Sequence, residues 1–219
     1  MPSIANNFNY AIKVQLTWTT WWGVLTQADE KGLVFVLRVS VVIAMLFIAL
    51  NAFVLYVLTP LQDAVLPDFD HIASLVFLPH GLKIFATILL RFKAVPGLVA
   101  GAAVSTPMIW GIADPQLIVI LSLIGGVTCW IVLELLSAMR IQVFYSIDQE
   151  HLPPLWHILM AGLLCSVANG FLMDAVLKAH GYENQDLAFL AFVIGDCAGL
   201  VVAWVLAKGG LDLLRKKLR

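Results

Sequence analysis

Five polar side chains stand inside otherwise apolar stretches of the sequence: His80, Lys83, Asn169, Asp174 and Asp196. A charged side chain at the centre of a bilayer costs about 2.5–3.5 kcal/mol on insertion scales, so such residues are expected to face a protein interior or a polar cavity. A buried ammonium group can bind acidic or zwitterionic molecules, and a carboxylate beside an imidazole can bind a proton. We therefore predict that these residues line a polar ligand pocket.

Lys83 and Asp196 are opposite in charge, and both are expected near the middle of the bilayer, so we predict that they form an ion pair. Two interpretations of this pair stay open, because it either fixes the register of two helices or takes part in ligand or proton binding. Glu134 is a further ionisable residue, expected toward the cytoplasmic half of the membrane.

Pro79 and Gly81 flank His80, and a helix broken at this point would leave backbone carbonyls without partners. Broken backbone at membrane depth is tolerated where it is buried in protein or lines a polar cavity. We therefore predict a cavity at this break, while a simple kink with His80 hydrogen-bonded to the backbone is the alternative.

The composition places these residues in a membrane protein. Of the 219 residues, 61% are hydrophobic and 12% are charged, against roughly 45–50% and 25% in soluble domains. The fold class that follows is all-α, a polytopic membrane bundle. The 13 basic and 14 acidic residues nearly cancel, which argues against a nucleic-acid partner.

Six stretches contain the roughly 20 apolar residues that a membrane-spanning helix needs. They run approximately over Leu33–Leu58, Ile72–Leu90, Ala94–Ile112, Leu117–Met139, Leu155–Leu177 and Leu187–Ala207. The predicted organisation is an interfacial segment over residues 1–32, a six-helix domain over 33–207, and a basic cytoplasmic tail over 208–219.

Lysine and arginine residues collect on one side of the predicted bundle and acidic residues on the other. The basic side has Lys13, Lys31, Arg38, Arg91, Lys93, Arg140, Lys208, Arg215, Lys216, Lys217 and Arg219. The acidic side has Asp63, Asp68, Asp70, Asp114, Glu183 and Asp186, with Lys178 as its basic residue. Because basic loops stay cytoplasmic, both termini are predicted in the cytoplasm.

Trp18, Trp21 and Trp22 lie close together beside Lys13 in a segment without the features of a signal peptide. Indole side chains favour the headgroup layer, so we predict an interfacial anchor, with a docking surface for a partner as the alternative.

Two pairs of small residues indicate close helix packing: Gly97-x-x-x-Gly101 and Gly195-x-x-x-Gly199. The second pair brackets Asp196, so we expect that carboxylate to lie inside the bundle.

The sequence has no common signature of catalysis or of a cofactor site. His-Glu-x-x-His, Gly-x-Ser-x-Gly and phosphate-binding Gly-rich motifs are absent, and two prolines separate His151 from His157. The cysteines Cys129, Cys165 and Cys197 stand singly in apolar runs. We expect neither catalytic residues, nor a metal site, nor a cofactor.

Several motifs resemble the first family of membrane-associated sensor domains, which precede bacterial histidine kinases and cyclic-di-GMP enzymes. They are Phe77-Leu78-Pro79-His80-Gly81-Leu82, Leu89-Leu90-Arg91, Ala94-Val95-Pro96-Gly97-Leu98 with Gly101-Ala102, and Gly195-Asp196-x-x-Gly199. Phe77-Leu78-Pro79 replaces the family's tryptophan-proline-proline, and Val95 replaces a tryptophan. The resemblance implies a sensory or small-ligand-binding fold of the bacterial inner membrane.

The expected function is a non-enzymatic sensory or small-ligand-binding membrane protein that signals or docks to a separate membrane partner. Its pocket would open from the outer side, between the second, fifth and sixth helices. Two alternatives stay open: an accessory or assembly subunit of a larger membrane complex, and the substrate-binding subunit of an importer.

Overall fold

The computed structural model describes residues 30–65, 74–145, 153–182 and 188–217. The chain divides into two units, residues 1–38 and residues 39–219. In the first unit, the description covers only the start of one helix. The predicted interfacial anchor at Trp18, Trp21 and Trp22 therefore lies outside the described residues.

The described residues are almost entirely helical, and they contain no strand. The elements are α1 (Glu30–Phe53), a π-helical turn (Val54–Leu58), α2 (Thr59–Val65), α3 (Leu78–Leu90), a 3-10 turn (Arg91–Ala94), α4 (Val95–Trp110), α5 (Pro115–Ala138), α6 (Leu155–Ala179) and α7 (Ala188–Lys217). The prediction of an all-α membrane bundle is confirmed.

Five helical runs among the described residues are long and apolar enough to cross a membrane. They are Gly32–Val65, Leu78–Ile109, Pro115–Ala138, Leu155–Ala179 and Phe192–Gly209. The count among these residues is five rather than the predicted six, because the second and third predicted spans fall within the single run Leu78–Ile109, which contains the two helices α3 and α4. Its first helix, α3, has 13 residues, which span about 20 Å of a hydrocarbon core about 30 Å thick.

The run Leu78–Ile109 folds back on itself. Phe77, just before the run, lines the same cavity as Ile109 at its end, whereas a straight helix of 32 residues would separate its ends by about 48 Å. The reversal begins at Arg91, whose φ of 52° and ψ of −134° interrupt the helix. The Arg91 guanidinium lies 4.3 Å from the centroid of the Phe144 ring, at cation–π distance.

Local sequence accounts for the other helix ends. Asp114 caps α5 by accepting a hydrogen bond from the Gln116 N–H at 2.9 Å. Gly111 ends α4 in the left-handed conformation, with φ of 62°. Helix α7 continues to Lys217, past the expected end at Ala207, so the described part of the predicted basic tail is helical.

The described helices pack around an apolar core, most of them against the next helix along the chain. Helix α3 packs against α7, α4 against α5, α5 against α6, and α6 against α7. Large apolar side chains also cover the outer surface, among them Met45, Leu135, Phe171 and Leu206. A soluble protein rarely exposes so large an apolar surface, and contact with lipid accounts for it. The chain is a membrane protein.

Gly195 and Gly199 let the irregular segment before α3 lie directly on α7. The Phe77 N–H donates a hydrogen bond to the Gly195 carbonyl at 2.9 Å. A Cβ at Gly199 would overlap the Phe77 carbonyl and would stand 2.9 Å from the Leu78 nitrogen. Glycine is required at this position because the atoms it meets are backbone atoms.

Gly97 and Gly101 provide the corresponding contact between α4 and α1. A Cβ at Gly97 would stand 2.7 Å from the Ser40 carbonyl oxygen, and one at Gly101 would stand 2.9 Å from the Phe47 Cβ. Both predicted small-residue pairs therefore lie at close contacts, although the second pair packs against irregular backbone as well as against α3.

We expect Gly199→Ala to destabilise the protein by about 1–3 kcal/mol or more, because the backbone of residues 77–78 must shift. Gly209→Ala is the matched control, since Gly209 lies in the same helix with no described atom within 4 Å of its added Cβ. The control is expected to keep or raise the melting temperature in detergent. Equal melting temperatures for the two variants would contradict this account of the contact.

Candidate functional site

A cavity of about 410 Å³ lies between α1 and helices α3 to α7. This volume is typical of sites for small molecules, which occupy roughly 300–1,000 Å³. Most of the wall is apolar, with three aromatic rings from Phe47, Phe77 and Phe192. The polar lining residues are Asn51, Thr59, Ser74, Lys83, Ser105, Thr106, Asn169 and Asp196.

The cavity lies toward one end of the bundle. Its walls come from the C-terminal parts of α1, α4 and α6 and from the N-terminal parts of α3 and α7. The α4–α5 connection is at this end, whereas Arg91 and Arg140 are at the other. This is the end that the charge pattern assigns to the outer face.

Irregular backbone shapes two sides of the cavity. The π-helical turn after α1 brings Val54 and Leu55 to the wall, and the Thr59 hydroxyl donates to the Val54 carbonyl at 3.1 Å. On another side, Ser74 and Phe77 precede α3. Such departures from regular helix in a membrane protein are expected where backbone is buried or borders a cavity.

Lys83 brings a buried amine to the cavity. The residue is 5% exposed, and its Nζ lies 5.6 Å from the centroid of the Phe47 ring. Nζ is also 3.8 Å from the point where a Cβ at Gly125 would stand, so the glycine leaves space beside the ammonium group. Within the described part of the chain, no carboxylate lies at ion-pair distance from Nζ.

Asp196 forms a cluster with residues of α3 and α6 instead of pairing with Lys83. The Ser166 hydroxyl donates to Asp196 Oδ2 at 2.8 Å, and His80 Nδ1 lies 3.1 Å from the same oxygen. The expected ion pair between Lys83 and Asp196 is not formed. His80 and Lys83 are three residues apart on α3, so their side chains differ in direction by roughly 60° around the helix, and His80 is the one that faces α7.

The two ring nitrogens of His80 differ in their contacts. His80 Nε2 is 3.1 Å from the Gly162 carbonyl oxygen, which can only accept, so Nε2 carries a hydrogen. His80 Nδ1 lies 3.1 Å from Asp196 Oδ2 but forms no hydrogen bond within the described residues. The contact between His80 and Asp196 is therefore a close approach of two polar groups, whereas Ser166 is the residue that hydrogen-bonds to the carboxylate.

Ser166, His80 and Asp196 are the residue types of a hydrolase triad, but their arrangement does not activate a nucleophile. In a triad, the histidine contacts the serine hydroxyl and the carboxylate orients the histidine. Here the Ser166 hydroxyl binds the carboxylate, and His80 Nε2 is occupied by the Gly162 carbonyl. The cluster orients Asp196 rather than preparing Ser166 for attack.

The structure separates the five residues predicted to share a pocket. Lys83, Asn169 and Asp196 line the cavity, whereas His80 lies behind Asp196 and is 1% exposed. Asp174 lies outside the cavity, because it pairs with Lys178 of the same helix at 2.9 Å on a more exposed surface. The sequence predicts the depth of Asp174 in the membrane, but it does not show that its side chain lies on a helix face away from the cavity.

The expected helix break at Pro79 and Gly81 is also corrected. Helix α3 begins at Leu78, so Pro79 stands in its first turn, where a missing N–H breaks no helical hydrogen bond. Gly81 allows close packing against α7, since its Cβ would stand 3.2 Å from the Gly199 carbonyl oxygen. Glu134 lies elsewhere and accepts a hydrogen bond from the Trp130 indole at 3.2 Å.

Neutral polar residues of the cavity escaped the sequence analysis. Asn51, Ser105 and Thr106 each stand inside a predicted span and each line the cavity wall. The sequence signals for these residues were a single amide in the first predicted span and an adjacent serine and threonine in the third. They were not predicted as site residues because only ionisable side chains carry a large penalty in lipid, with Asn169 as the one amide considered.

The cysteines and metal-binding residue types add no second site to the described chain. Cys129 and Cys165 are buried, Cys197 is half-buried, and all three are free thiols. Among the described residues, no group of three or more His, Cys, Asp or Glu side chains could hold a metal ion.

No protein-family model, curated protein or solved structure matches the chain. The resemblance to membrane-associated sensor domains therefore stays a prediction from the motifs. Two of those motifs meet in the fold, since the segment from Phe77 to Gly81 packs on Gly199 of α7.

Asp196 supplies the oxygen that accepts the Ser166 hydrogen bond, and an amide at this position can still supply one. We expect Asp196→Asn to change the free energy of unfolding by no more than about 1 kcal/mol, whereas Asp196→Ala should cost about 3 kcal/mol, because the buried Ser166 hydroxyl loses its acceptor and a space is left beside it. The control Asp174→Ala should cost less than about 1 kcal/mol, since its ion pair is partly exposed. Denaturation in detergent would measure all three, and equal losses for Asn and Ala at position 196 would contradict this role of the acceptor oxygen.

Proposed function

We propose that this chain is a non-enzymatic membrane protein of sensory type, and that it binds a small anionic ligand in the cavity at Lys83. The observation that carries the proposal is the burial of the Lys83 amine with no carboxylate of the described chain at ion-pair distance. The same amine lies in the wall of a cavity of ligand size.

Energetics support a role for Lys83 in binding. A buried charge without a partner destabilises a protein by several kcal/mol, and the cation–π contact of Lys83 with Phe47 does not compensate it fully. Natural proteins keep such destabilising residues mainly at functional sites. A carboxylate, phosphate or sulfonate of a ligand would supply the missing charge.

The remaining wall of the cavity favours a ligand with an apolar part. Phe47, Phe77 and Phe192 face the cavity together with aliphatic side chains from several helices. Small-molecule sites usually combine such walls with a few polar groups that orient the ligand. An acid with a hydrophobic tail or ring would place its charged group at Lys83 and its apolar group against these rings.

We further propose that the protein resides in a bacterial inner membrane with both termini in the cytoplasm, as the resemblance and the charge pattern imply. Supporting this orientation, Arg91, Arg140 and Lys208 lie at the end of the bundle away from the cavity, while Asp114 lies near the cavity end. The cavity would then take its ligand from the outer side.

A sensor of this kind acts through a separate signalling partner in the membrane or cytoplasm. An accessory subunit of a larger complex and a substrate-binding subunit of an importer are the competing functions. The first would have a stoichiometric partner and no ligand, and the second would have a transported ligand together with an ATPase partner.

Lys83→Met tests the proposal directly. We expect native mass spectrometry of the protein, gently extracted from its own membranes, to detect a retained small molecule that is absent from the variant. We also expect the ligand-free variant to be more stable than the ligand-free wild type by about 1–3 kcal/mol, because an uncompensated buried charge has been removed.

Lys178→Met is the matched control, since Lys178 is largely exposed and pairs with Asp174 outside the cavity. This variant should retain the ligand. A ligand retained equally by all three proteins would contradict a site at Lys83. A stoichiometric protein partner without any ligand would favour the accessory subunit.

Cysteine labelling tests the proposed orientation. We expect a membrane-impermeant maleimide to label Ala113→Cys in intact spheroplasts, and to label Met139→Cys only after the membrane is permeabilised. Both positions are exposed. Ala113 follows α4 and Met139 lies in the turn after α5, at opposite ends of the bundle. Wild-type protein should stay unlabelled because its described cysteines lie within apolar helices. The reverse labelling pattern would invert the orientation.

A further inference from the structure

Two adjacent glycines, Gly125 and Gly126, stand in the middle of α5, and packing between helices explains only the second. A Cβ at Gly126 would stand 2.8 Å from the Val99 nitrogen and 3.0 Å from its Cα, so α4 could not lie so close. The nearest described atom to a Cβ at Gly125 is 3.5 Å away, which is ordinary van der Waals contact. Helix packing therefore does not require glycine at position 125.

Glycine at position 125 weakens α5. In the interior of a helix, glycine is less stable than alanine because it loses more backbone entropy on folding. An alanine here would fit against its neighbours without displacing them. Natural sequences depart from the more stable choice mainly at functional sites, so the space left by Gly125 is a candidate for use.

The space at Gly125 is bounded by atoms from three other helices. The position of the missing Cβ is 3.5 Å from Met173 Cε of α6, and 3.8 Å from both Ala102 Cβ of α4 and Lys83 Nζ of α3. All four residues line the cavity. The Lys83 amine therefore has bare backbone beside it at α5, with room for an atom of the size of a carbon or an oxygen.

The charge of Lys83 makes this space suited to an anion. The residue is 5% exposed, and no carboxylate of the described chain lies at ion-pair distance from Nζ. The Phe47 ring, 5.6 Å from Nζ, attracts the amine through its quadrupole but carries no negative charge. The other boundaries are a methyl group of Met173 and the Cβ of Ala102, which offer an anion no hydrogen bond. The amine is therefore the group that would hold an anion in this space.

Other parts of the cavity wall provide independent evidence that the cavity is occupied. Asn51 Oδ1, Ser105 Oγ and Asn169 Oδ1 are buried and have no hydrogen-bond partner among the described residues. The Asn51 amide is held in its orientation because Nδ2 donates to the Phe47 carbonyl at 2.8 Å. Buried polar atoms are nearly always paired in folded proteins, so these oxygens indicate polar groups that the chain does not supply.

We infer that Gly125 determines specificity in the cavity, because it makes room for the anionic group of the ligand beside the Lys83 amine. An oxygen of that group, from a carboxylate or a sulfonate, lies against the bare backbone of α5 between Lys83, Ala102 and Met173. A side chain at position 125 takes this space and excludes the anion. The inference rests on the proposed function and assigns the place where the anionic group binds.

Melting temperatures of the ligand-free protein in detergent show whether Gly125 has a packing role. We expect Gly125→Ala to melt at or above the wild-type temperature, because the added Cβ fits and alanine favours the helix. Gly126→Ala should melt at a lower temperature, because its Cβ would overlap the Val99 backbone. A Gly125→Ala variant that melts as low as Gly126→Ala would make Gly125 a packing residue and would overturn the inference.

Three probes with one phenylpropyl chain measure binding: 4-phenylbutanoate, 3-phenylpropane-1-sulfonate and the neutral 4-phenylbutanamide. Isothermal titration of the full chain in nanodiscs should show that wild-type protein binds at least one of the two anions more tightly than the amide. The better anion identifies the kind of anionic group. We expect Gly125→Ala to bind that anion at least roughly 10-fold more weakly, since the added methyl group takes the place beside Nζ.

Gly209→Ala is the matched control for binding. It is the same substitution in a transmembrane helix, but Gly209 lies outside the cavity and has no described atom within 4 Å of its added Cβ. This variant should bind the anion as the wild type does. Native mass spectrometry gives the same comparison for the molecule retained from the membrane, which Gly125→Ala should lose and Gly209→Ala should keep.

The failure of this inference differs from the failure of the proposed function. Equal affinity of wild type and Gly125→Ala for an anion that Lys83→Met no longer binds would overturn the inference alone, as would full retention of the natural molecule by Gly125→Ala. Binding of the anion by Lys83→Met as well would overturn the site at Lys83. A wild type that binds neither anion and retains no small molecule would overturn the proposed function, and the inference with it.

Discussion

The direct contact between backbone atoms at Gly199 is the constraint on which the rest of the site depends. Because Gly195 and Gly199 have no side chains, the segment before α3 reaches α7 closely enough for the Phe77 N–H to bond to the Gly195 carbonyl. That bond satisfies a donor that lipid could not satisfy. It also starts α3 at Leu78, so that His80 faces Asp196 while Lys83, about one turn later, faces the cavity.

The two polar environments that result differ in how many of their groups have hydrogen-bond partners. In the cluster of His80, Ser166 and Asp196, the Ser166 hydroxyl binds Asp196 and His80 Nε2 binds the Gly162 carbonyl, and only His80 Nδ1 has no hydrogen-bond partner. The cavity has an amine with no carboxylate of the described residues at ion-pair distance, and three oxygens in its wall have no hydrogen-bond partner. Low polarity strengthens both effects, since it stabilises a completed network and penalises an incomplete one. The first environment therefore fixes the helices, and the second is suited to completion by a ligand.

The sequence predicts which residues lie within the membrane and at what depth, but not the direction in which each side chain points. Apolar length located the helical runs, and three of the polar residues predicted to share a pocket, Lys83, Asn169 and Asp196, line one cavity. Depth says nothing about direction around a helix, which is why Asp174 was misassigned and Lys83 was paired with Asp196. The break at Arg91 was anticipated, because the second and third predicted spans end at Leu90 and begin at Ala94, but the left-handed φ of Arg91 and its contact with the Phe144 ring were not.

The motifs that resemble the sensor family and the polar residues of the cavity lie mostly at different positions in the fold. The motifs that resemble membrane-associated sensor domains contain His80, Gly81, Asp196 and Gly199, which join α3 to α7 and orient the carboxyl group. Lys83 stands just outside the first motif, and Asn51 belongs to a helix without any of them. Residues that hold the helices together are thus distinct from residues that would recognise a ligand. A chain sharing the motifs would share the framework, while its ligand would depend on what stands at the positions of Lys83 and Asn51.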